Sequence, residues 1–141
     1  NSLLGGSANS KLFQNVREKA SLAYSANSNY YRFKNMILIN CGIEIQNYDK
    51  ALDIIRKQLN DIKNGDFTEE EIEEIKKGII AAIKGIDDEQ DTEISYFFSQ
   101  ELSKVKYDFE EYIQKINNVD KQKIVDVAKK VAINTVYFLR D

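Results

Sequence analysis

The sequence of 141 residues contains no histidine. This absence excludes a Ser-His-Asp or Cys-His catalytic arrangement and a histidine-ligated zinc site within the chain. It also removes the side chain that most often serves as a general base near neutral pH. Any enzyme that includes this chain must therefore take those groups from another domain or subunit.

Proline is absent as well, so no X-Pro hinge marks a domain boundary, and we expect one domain over residues 1–141. There is a single cysteine, Cys41, which rules out an internal disulfide. A lone cysteine favours a reducing compartment, and we therefore expect a cytoplasmic protein. Cys41 lies in the apolar run ILINCGIEI, a setting that predicts a small buried side chain and not a reactive thiol.

The chain has no large excess of either charge, with 20 basic and 23 acidic residues and a net charge of −3. A nucleic-acid-binding domain usually carries a basic excess on one face, so nucleic acid is not an expected partner. No apolar run approaches the roughly 20 residues that span a bilayer, and no segment resembles a signal peptide. We therefore expect no membrane association, and the 43% hydrophobic content supplies a core instead.

The first part of the chain predicts a turn, a short helix and two strands. NSLLGGS is typical of a helix end followed by a glycine turn, and we expect a fragment that lacks its first strand or strands. An apolar repeat every four residues predicts a helix over 10–20, with Ser10 as its N-cap. Strands are predicted over 21–33 and 35–45 because both segments favour extended structure.

Two finer predictions concern these strands. Lys34 and Asn35 are expected to form the hairpin turn, because asparagine tolerates a left-handed backbone. Strict alternation in the first strand would place Leu22, Tyr24 and Ala26 on one face.

The rest of the chain predicts mainly helices, which share apolar stripes at helical spacing and polar residues that can cap their starts. The predicted helices cover 47–65, 68–86, 91–105, 108–116 and 120–131. For the first of these, Asn47 is the predicted N-cap and Gly65 the predicted end, and Asp108 is the predicted N-cap of the helix over 108–116. NTVYFL, at 134–139, predicts a closing strand because it is rich in β-branched and aromatic residues. The expected class is α+β, an antiparallel or mixed sheet with helices packed on one face.

Three segments offer weak functional signals. The acidic run at 68–77 suggests metal binding, but it is better interpreted as a solvated helix face that pairs with its lysines. DDEQD at 87–91 contains oxygen ligands but lacks the spacing and glycine of a calcium loop, which favours a helix break. The GGS of residues 5–7 lacks the lysine and spacing of a P-loop, which favours a simple turn.

The strongest candidate site is the pair Arg17 and Tyr24 in the stretch REKASLAY. Arg17 falls in the last turn of the predicted helix, where the helix dipole favours a cation. Tyr24 falls on the following strand. An arginine fork and a phenol hydroxyl both donate hydrogen bonds, so if the two side chains converge they would hold a carbonyl oxygen and stabilise a developing oxyanion. The sequence pattern leaves open whether they share one face. From residue types alone, a surface charge beside a packed aromatic is the simpler interpretation.

The segment LLGGSANSKLFQNVREKASLAYSANS resembles the start of the later, non-zinc domain of the pitrilysin/insulinase-like zinc metallopeptidases (inverzincins), a family that includes the mitochondrial processing peptidase. The family pattern is a glycine-rich turn, a short helix with Leu-Phe, then an arginine and, seven positions later, a tyrosine. Leu12, Phe13, Arg17, Leu22 and Tyr24 match it. The resemblance continues through NGDFTEEEIEEIKKGII to NTVYFL and covers nearly the whole chain.

The resemblance implies a role in peptide hydrolysis. In this family an inverted H-x-x-E-H motif holds zinc in an earlier domain. An arginine and a tyrosine of the later domain reach the substrate near the metal, and Arg17 and Tyr24 would take that role here. The resemblance therefore implies a peptide substrate, no cofactor in this chain, and zinc in another domain or in a partner subunit.

Two arrangements remain open on this evidence. The zinc motif lies either upstream in the same polypeptide or in a separate subunit, with this chain as the zinc-less partner of a heterodimer or pseudo-dimer. The stretches VREKASLAY and TVYFL resemble the bacterial zinc-less partner of this family. In both arrangements this chain alone is expected to be inactive. A rival class is a scaffold or protein-binding subunit that keeps the peptidase fold without catalysis.

Overall fold

A two-stranded antiparallel hairpin forms the sheet in this computed structural model, which describes residues 1–88 and 90–140. The strands are β1, Ala23–Tyr31, and β2, Met36–Ile43. A short 3-10 turn at Arg32–Lys34 joins them, and Asn35 adopts a left-handed conformation with φ of 46°. This confirms the predicted turn, because asparagine accepts that backbone region readily.

Every predicted helix is present, with ends that differ by a few residues from the pattern. The first, Phe13–Lys19, has π-helical hydrogen bonding, as does the segment Ser2–Gly6 before it. The later helices are α1, Tyr48–Asn64; α2, Glu69–Lys84; α3, Gln90–Ser103; α4, Phe109–Asn117; and α5, Lys121–Lys129. Together with the hairpin they confirm the α+β class.

The caps explain several of these ends. Gly65 ends α1 in a left-handed conformation, φ 79°, and its N–H donates to the carbonyls of Asp61 and Ile62. Asp108 caps α4, since its carboxylate accepts a 2.7 Å hydrogen bond from the N–H of Glu111. Both caps were expected from the sequence.

Two predicted N-caps are wrong. The Ser10 hydroxyl is fully buried and finds no hydrogen-bond partner among the described residues, while its carbonyl accepts from the N–H of Gln14. Asn47 makes no side-chain cap to α1, and its amide nitrogen lies 3.5 Å from the carbonyl of Leu22 instead. In both cases tertiary packing overrides a local hydrogen-bonding preference.

The predicted closing strand over 134–139 is also wrong, because residues 131–140 adopt no regular secondary structure. Their β-branched and aromatic side chains suit a strand. A strand must also pair along a sheet edge, and within the described part of the chain this segment pairs with neither β1 nor β2.

Contacts divide the chain into two compact units. The first comprises Asn1–Thr68 and Lys121–Asp141, apart from Asp141, which lies outside the described residues. Val16 of the π-helix and Leu12, just before it, are fully buried, and α1 packs on α5. The core side chains of this unit are Leu3, Leu4, Leu12, Val16, Ala26, Ala51, Leu59, Ile62, Phe67, Val125 and Ala128.

The second unit comprises Glu69–Asp120. Helix α2 packs on α4, and the amide of Gln100 brackets the backbone of Tyr107, donating to its carbonyl at 3.0 Å and accepting from its N–H at 2.7 Å. Glu89 and the side chain of Asp87 lie outside the described residues, so the predicted break at 87–91 is only partly covered. The expectation of one domain over 1–141 stays a prediction.

No helix in the described residues is both long and apolar enough to cross a bilayer.

Candidate functional site

Arg17 lies in the last turn of the π-helix Phe13–Lys19, as the sequence predicted. Its guanidinium carbon sits 4.6 Å from the centroid of the Phe13 ring, one turn earlier, in a cation–π contact. Its Nε is 3.7 Å from a carboxylate oxygen of Glu18, and both side chains are about half exposed. The cation–π contact does not use the N–H groups of Arg17, so these donors remain available to a ligand.

Tyr24 lies near the start of β1 at an irregularity in the ladder. Ala23 pairs with Ile43 and Ser25 pairs with Gly42, so Tyr24 is the extra residue of a β-bulge. The bulge interrupts the alternation of the strand. Tyr24 is 79% exposed whereas Ala26 is buried, and the predicted common face of these two residues does not hold.

Arg17 and Tyr24 line one groove of about 460 Å³. Sequence pattern left open whether the two side chains converge, and the fold brings them to the same surface. The lining comes from the π-helix, the glycine turn and β1. The lining residues are Gly5, Gly6, Ser7, Ala8, Phe13, Arg17, Tyr24, Ser25, Ala26, Asn27, Ser28 and Asn29.

The groove is chemically suited to carbonyl oxygens. Within residues 1–88 and 90–140 the hydroxyl of Tyr24 has no hydrogen-bond partner, and the guanidinium of Arg17 makes no hydrogen bond. Two hydrogen-bond donors, one of them charged, therefore belong to residues that line the same groove. Such donors stabilise an oxyanion when they are held 2.7–3.1 Å from its position.

The glycine turn packs closely against β1 because a side chain at Gly5 would clash with its neighbours. A side chain on Gly5 would place its Cβ 2.6 Å from the backbone nitrogen of Ser28 and 2.9 Å from Cδ1 of Leu12. Asn1 adds two hydrogen bonds, since its amide donates to the Ser28 carbonyl and its side-chain oxygen accepts from the Ser28 hydroxyl. The GGS segment is therefore a close-packed turn against β1.

The residues of this chain do not fit a zinc site. The sequence has no histidine, and the described side chains contain no group of three or more cysteine or acidic residues able to hold a metal ion. In the acidic segment at 68–77, Glu73 pairs with Lys76 at 2.9 Å. That ion pair supports the interpretation of a solvated helix face.

The sequence did not predict the part that two further residues play around this pair. Phe13 enters only through the Leu-Phe match, although its spacing of four from Arg17 on a helix is a usable signal. Gly42 lies against the Tyr24 ring, and its only signal is a glycine inside an apolar strand, a pattern that often marks a bulge or a close approach.

Three comparisons bear on the family. Residues 1–79 match the family model described as Peptidase M16 inactive domain. The chain is 38% identical over 140 residues to the probable inactive metalloprotease YmfF of Bacillus subtilis, covering 99% of this chain and 33% of that protein. It is 28% identical over 134 residues to the uncharacterized zinc protease YmxG of the same organism, covering 93% of this chain and 33% of the relative.

Solved structures share the fold. A conserved protein from Enterococcus faecalis matches with a TM-score of 0.84 and 34% identity, over 92% of this chain and 31% of that one. A peptidase M16 inactive domain from Pseudomonas fluorescens matches with a TM-score of 0.76 at 16% identity, over 94% of this chain and 32% of that one, which supports the fold alone.

The chain spans about a third of the length of the curated relatives that it matches. The expected resemblance to the non-zinc domain of zinc peptidases is confirmed. With more than half of its residues matched by the family model, the chain belongs to the family of Peptidase M16 inactive domains.

Proposed function

We propose that this chain is the Arg/Tyr-bearing domain of a zinc peptidase, or of its zinc-less partner subunit, and that Arg17 and Tyr24 hold the peptide. The observation that carries the proposal is the shared groove, in which both side chains offer unused hydrogen-bond donors. Zinc belongs, in this proposal, to another domain of the same polypeptide or to a partner subunit, because the chain has no histidine. The reducing compartment indicated by the lone cysteine makes the cytoplasm our proposed location.

The role of each side chain follows from its chemistry. The guanidinium of Arg17, supported from below by Phe13, presents a permanent positive charge toward the carbonyl oxygen of the scissile peptide. The phenol of Tyr24 donates a neutral hydrogen bond to the same oxygen or to its neighbour along the peptide. Both contacts strengthen as negative charge develops on that oxygen during hydrolysis, so they lower the barrier as well as position the peptide.

The test is peptide cleavage by the full polypeptide assembled with its zinc-bearing domain or partner. We expect Arg17→Ala and Tyr24→Phe each to lower kcat by about 10²–10³-fold, the usual effect of removing one oxyanion donor. Matched controls are Arg56→Ala, an exposed arginine of α1 whose side chain lies near Asp53, and Tyr137→Phe, an 82% exposed tyrosine. Unchanged cleavage in both site variants would remove the catalytic role.

A second candidate function is a scaffold or protein-binding subunit that keeps the fold without catalysis. The observation that favours it is the name of the 38% identical relative, a probable inactive metalloprotease. The presence of both Arg17 and Tyr24 in one groove favours the peptidase role instead. Under the scaffold function, the site variants leave peptide cleavage by the assembled complex unchanged, and assembly with the partner persists.

A further inference from the structure

The ring of Tyr24 lies against the backbone of β2 at Gly42. A Cβ atom on Gly42 would overlap the ring at Cζ and would fall 2.5 Å from Cε2 and 2.7 Å from the hydroxyl oxygen. Carbon atoms in proteins do not approach this closely, so the observed ring position requires a glycine at this place. The three atoms belong to the outer half of the ring, which is the half that carries the hydroxyl.

The β-bulge at Tyr24 also contributes to this ring position. Because Tyr24 is the extra residue between the Ala23–Ile43 and Ser25–Gly42 pairs, its side chain is freed from strict alternation and lies beside Gly42. The side chain remains 79% exposed, and Tyr24 is also one of the residues that line the groove. Bulges that re-aim a side chain in this way are common beside active sites.

We propose that Gly42 is a positioning residue for Tyr24: together with the bulge at residue 24, it fixes the ring position from which the phenol hydroxyl serves a peptide in the groove. The hydroxyl's position then depends on the absence of one methyl group on the neighbouring strand. This inference rests on the proposed function, since it concerns how the Tyr24 donor reaches the peptide. The contact between Tyr24 and Gly42 can be tested independently of catalysis.

The substitution Gly42→Ala should change the position of the Tyr24 ring without lowering the stability of the fold. The methyl group overlaps the end of an exposed side chain, not backbone, so the ring swings away at little cost. Alanine also restricts the unfolded chain more than glycine does, so the unfolding midpoint should stay the same or rise. We expect kcat for peptide cleavage to fall by about 10²-fold, as for a misplaced catalytic group, with KM little changed. Gly78→Ala on α2, where a new Cβ meets no atom within 4 Å, is the matched control.

The spectroscopic readout is fluorine NMR of the full polypeptide labelled with 3-fluorotyrosine, with the Tyr24 resonance assigned by its loss in Tyr24→Phe. We expect Gly42→Ala to shift that resonance toward the solvent-exposed value, and Gly78→Ala to leave it in place. In the unmodified protein, a nuclear Overhauser effect should connect the Tyr24 ring protons to the Gly42 Hα protons. This second measurement does not depend on how well any variant folds.

The outcomes separate the two proposals. An absent ring-to-Gly42 Overhauser effect, or a Tyr24 resonance that does not respond to Gly42→Ala, overturns the positioning role. A shifted resonance with normal cleavage in both Gly42→Ala and Tyr24→Phe keeps the positioned ring but removes its function in hydrolysis. Full support is a shifted resonance, a lowered kcat and no further loss when Gly42→Ala is added to Tyr24→Ala, because positioning then has nothing left to position.

Discussion

The ring of Phe138 stacks on the ring of Tyr48, with centroids 4.3 Å apart and planes inclined by 26°. This contact ties the irregular segment after α5 to the first turn of α1, within the first compact unit. Its neighbours Tyr137 and Leu139 are 82% and 77% exposed. One aromatic contact therefore anchors a segment that has no ladder of backbone hydrogen bonds to a sheet.

Loss of that stack should loosen the segment. We expect Phe138→Ala to lower the free energy of unfolding by about 1 kcal/mol or more, from the lost ring pair and its burial. Limited proteolysis should also cut residues 131–140 faster. Leu139→Ala is the control, and it should change neither quantity because its side chain is mostly in water. Equal effects from the two substitutions would contradict an anchoring role for Phe138.

The glycine turn should tolerate no side chain at residue 5. Gly5→Ala places a methyl group against the backbone nitrogen of Ser28, which cannot move without shifting β1. We expect a loss of about 1–3 kcal/mol in chemical unfolding, the usual cost of overpacking. Gly78→Ala should instead stabilise by about 0.5–1 kcal/mol, because it removes a mid-helix glycine in open space. The prediction fails if both alanines act in the same direction.

Helix α4 should depend on its cap. Asp108→Ala removes the acceptor of the 2.7 Å bond from the N–H of Glu111 and leaves that donor without its side-chain partner. The expected loss is about 1 kcal/mol, measured by urea unfolding followed by circular dichroism. Glu110→Ala in the same first turn keeps the cap and should cost only a few tenths of a kcal/mol. Asn at 108 should restore most of the stability, since its amide oxygen also accepts.

The thiol of Cys41 should react slowly with alkylating reagents. Burial raises the pKa of this thiol above its ordinary value, so less thiolate is present in the folded chain at pH 8. Iodoacetamide should therefore modify it several-fold more slowly than it modifies glutathione, and urea should remove the difference. Cys41 is only partly buried in the fold, less than its apolar run predicted. A folded rate equal to the rate in urea would contradict even this partial burial.

The raised pKa of Cys41 also determines how the stability of the fold changes with pH. A raised folded pKa means that the fold disfavours the thiolate. The contribution of Cys41 is therefore fully present below the thiol pKa of the unfolded chain, about 8.5, and is lost as pH rises through the higher folded value. Cys41→Ser should make the free energy of unfolding depend less on pH in this range. The difference between the two proteins separates the thiol from other groups of the chain that titrate at alkaline pH. No difference above pH 9 would count against the shift.

The sequence by itself determined the features that depend on near neighbours in the chain. The lack of histidine excluded a histidine-ligated zinc site and a histidine base here, whatever the fold. Apolar periodicity located the helices, and Gly65, Asp108 and Asn35 marked their ends or the hairpin turn, because capping and left-handed backbone are local properties. The spacing of seven between Arg17 and Tyr24, which matches the family pattern, is also a property of the sequence alone.

Only the tertiary structure decided what depends on residues far apart in sequence. The bulge at Tyr24 arises from the register between two strands, and the clearance at Gly42 arises from the ring that lies across it. Ser10 lost its predicted capping role to burial, and residues 134–139 kept strand-like composition without a strand, because a strand forms only where tertiary packing brings it alongside a sheet edge. Local pattern names the residues that suit a structure, whereas non-local contacts decide which of them converge on one groove.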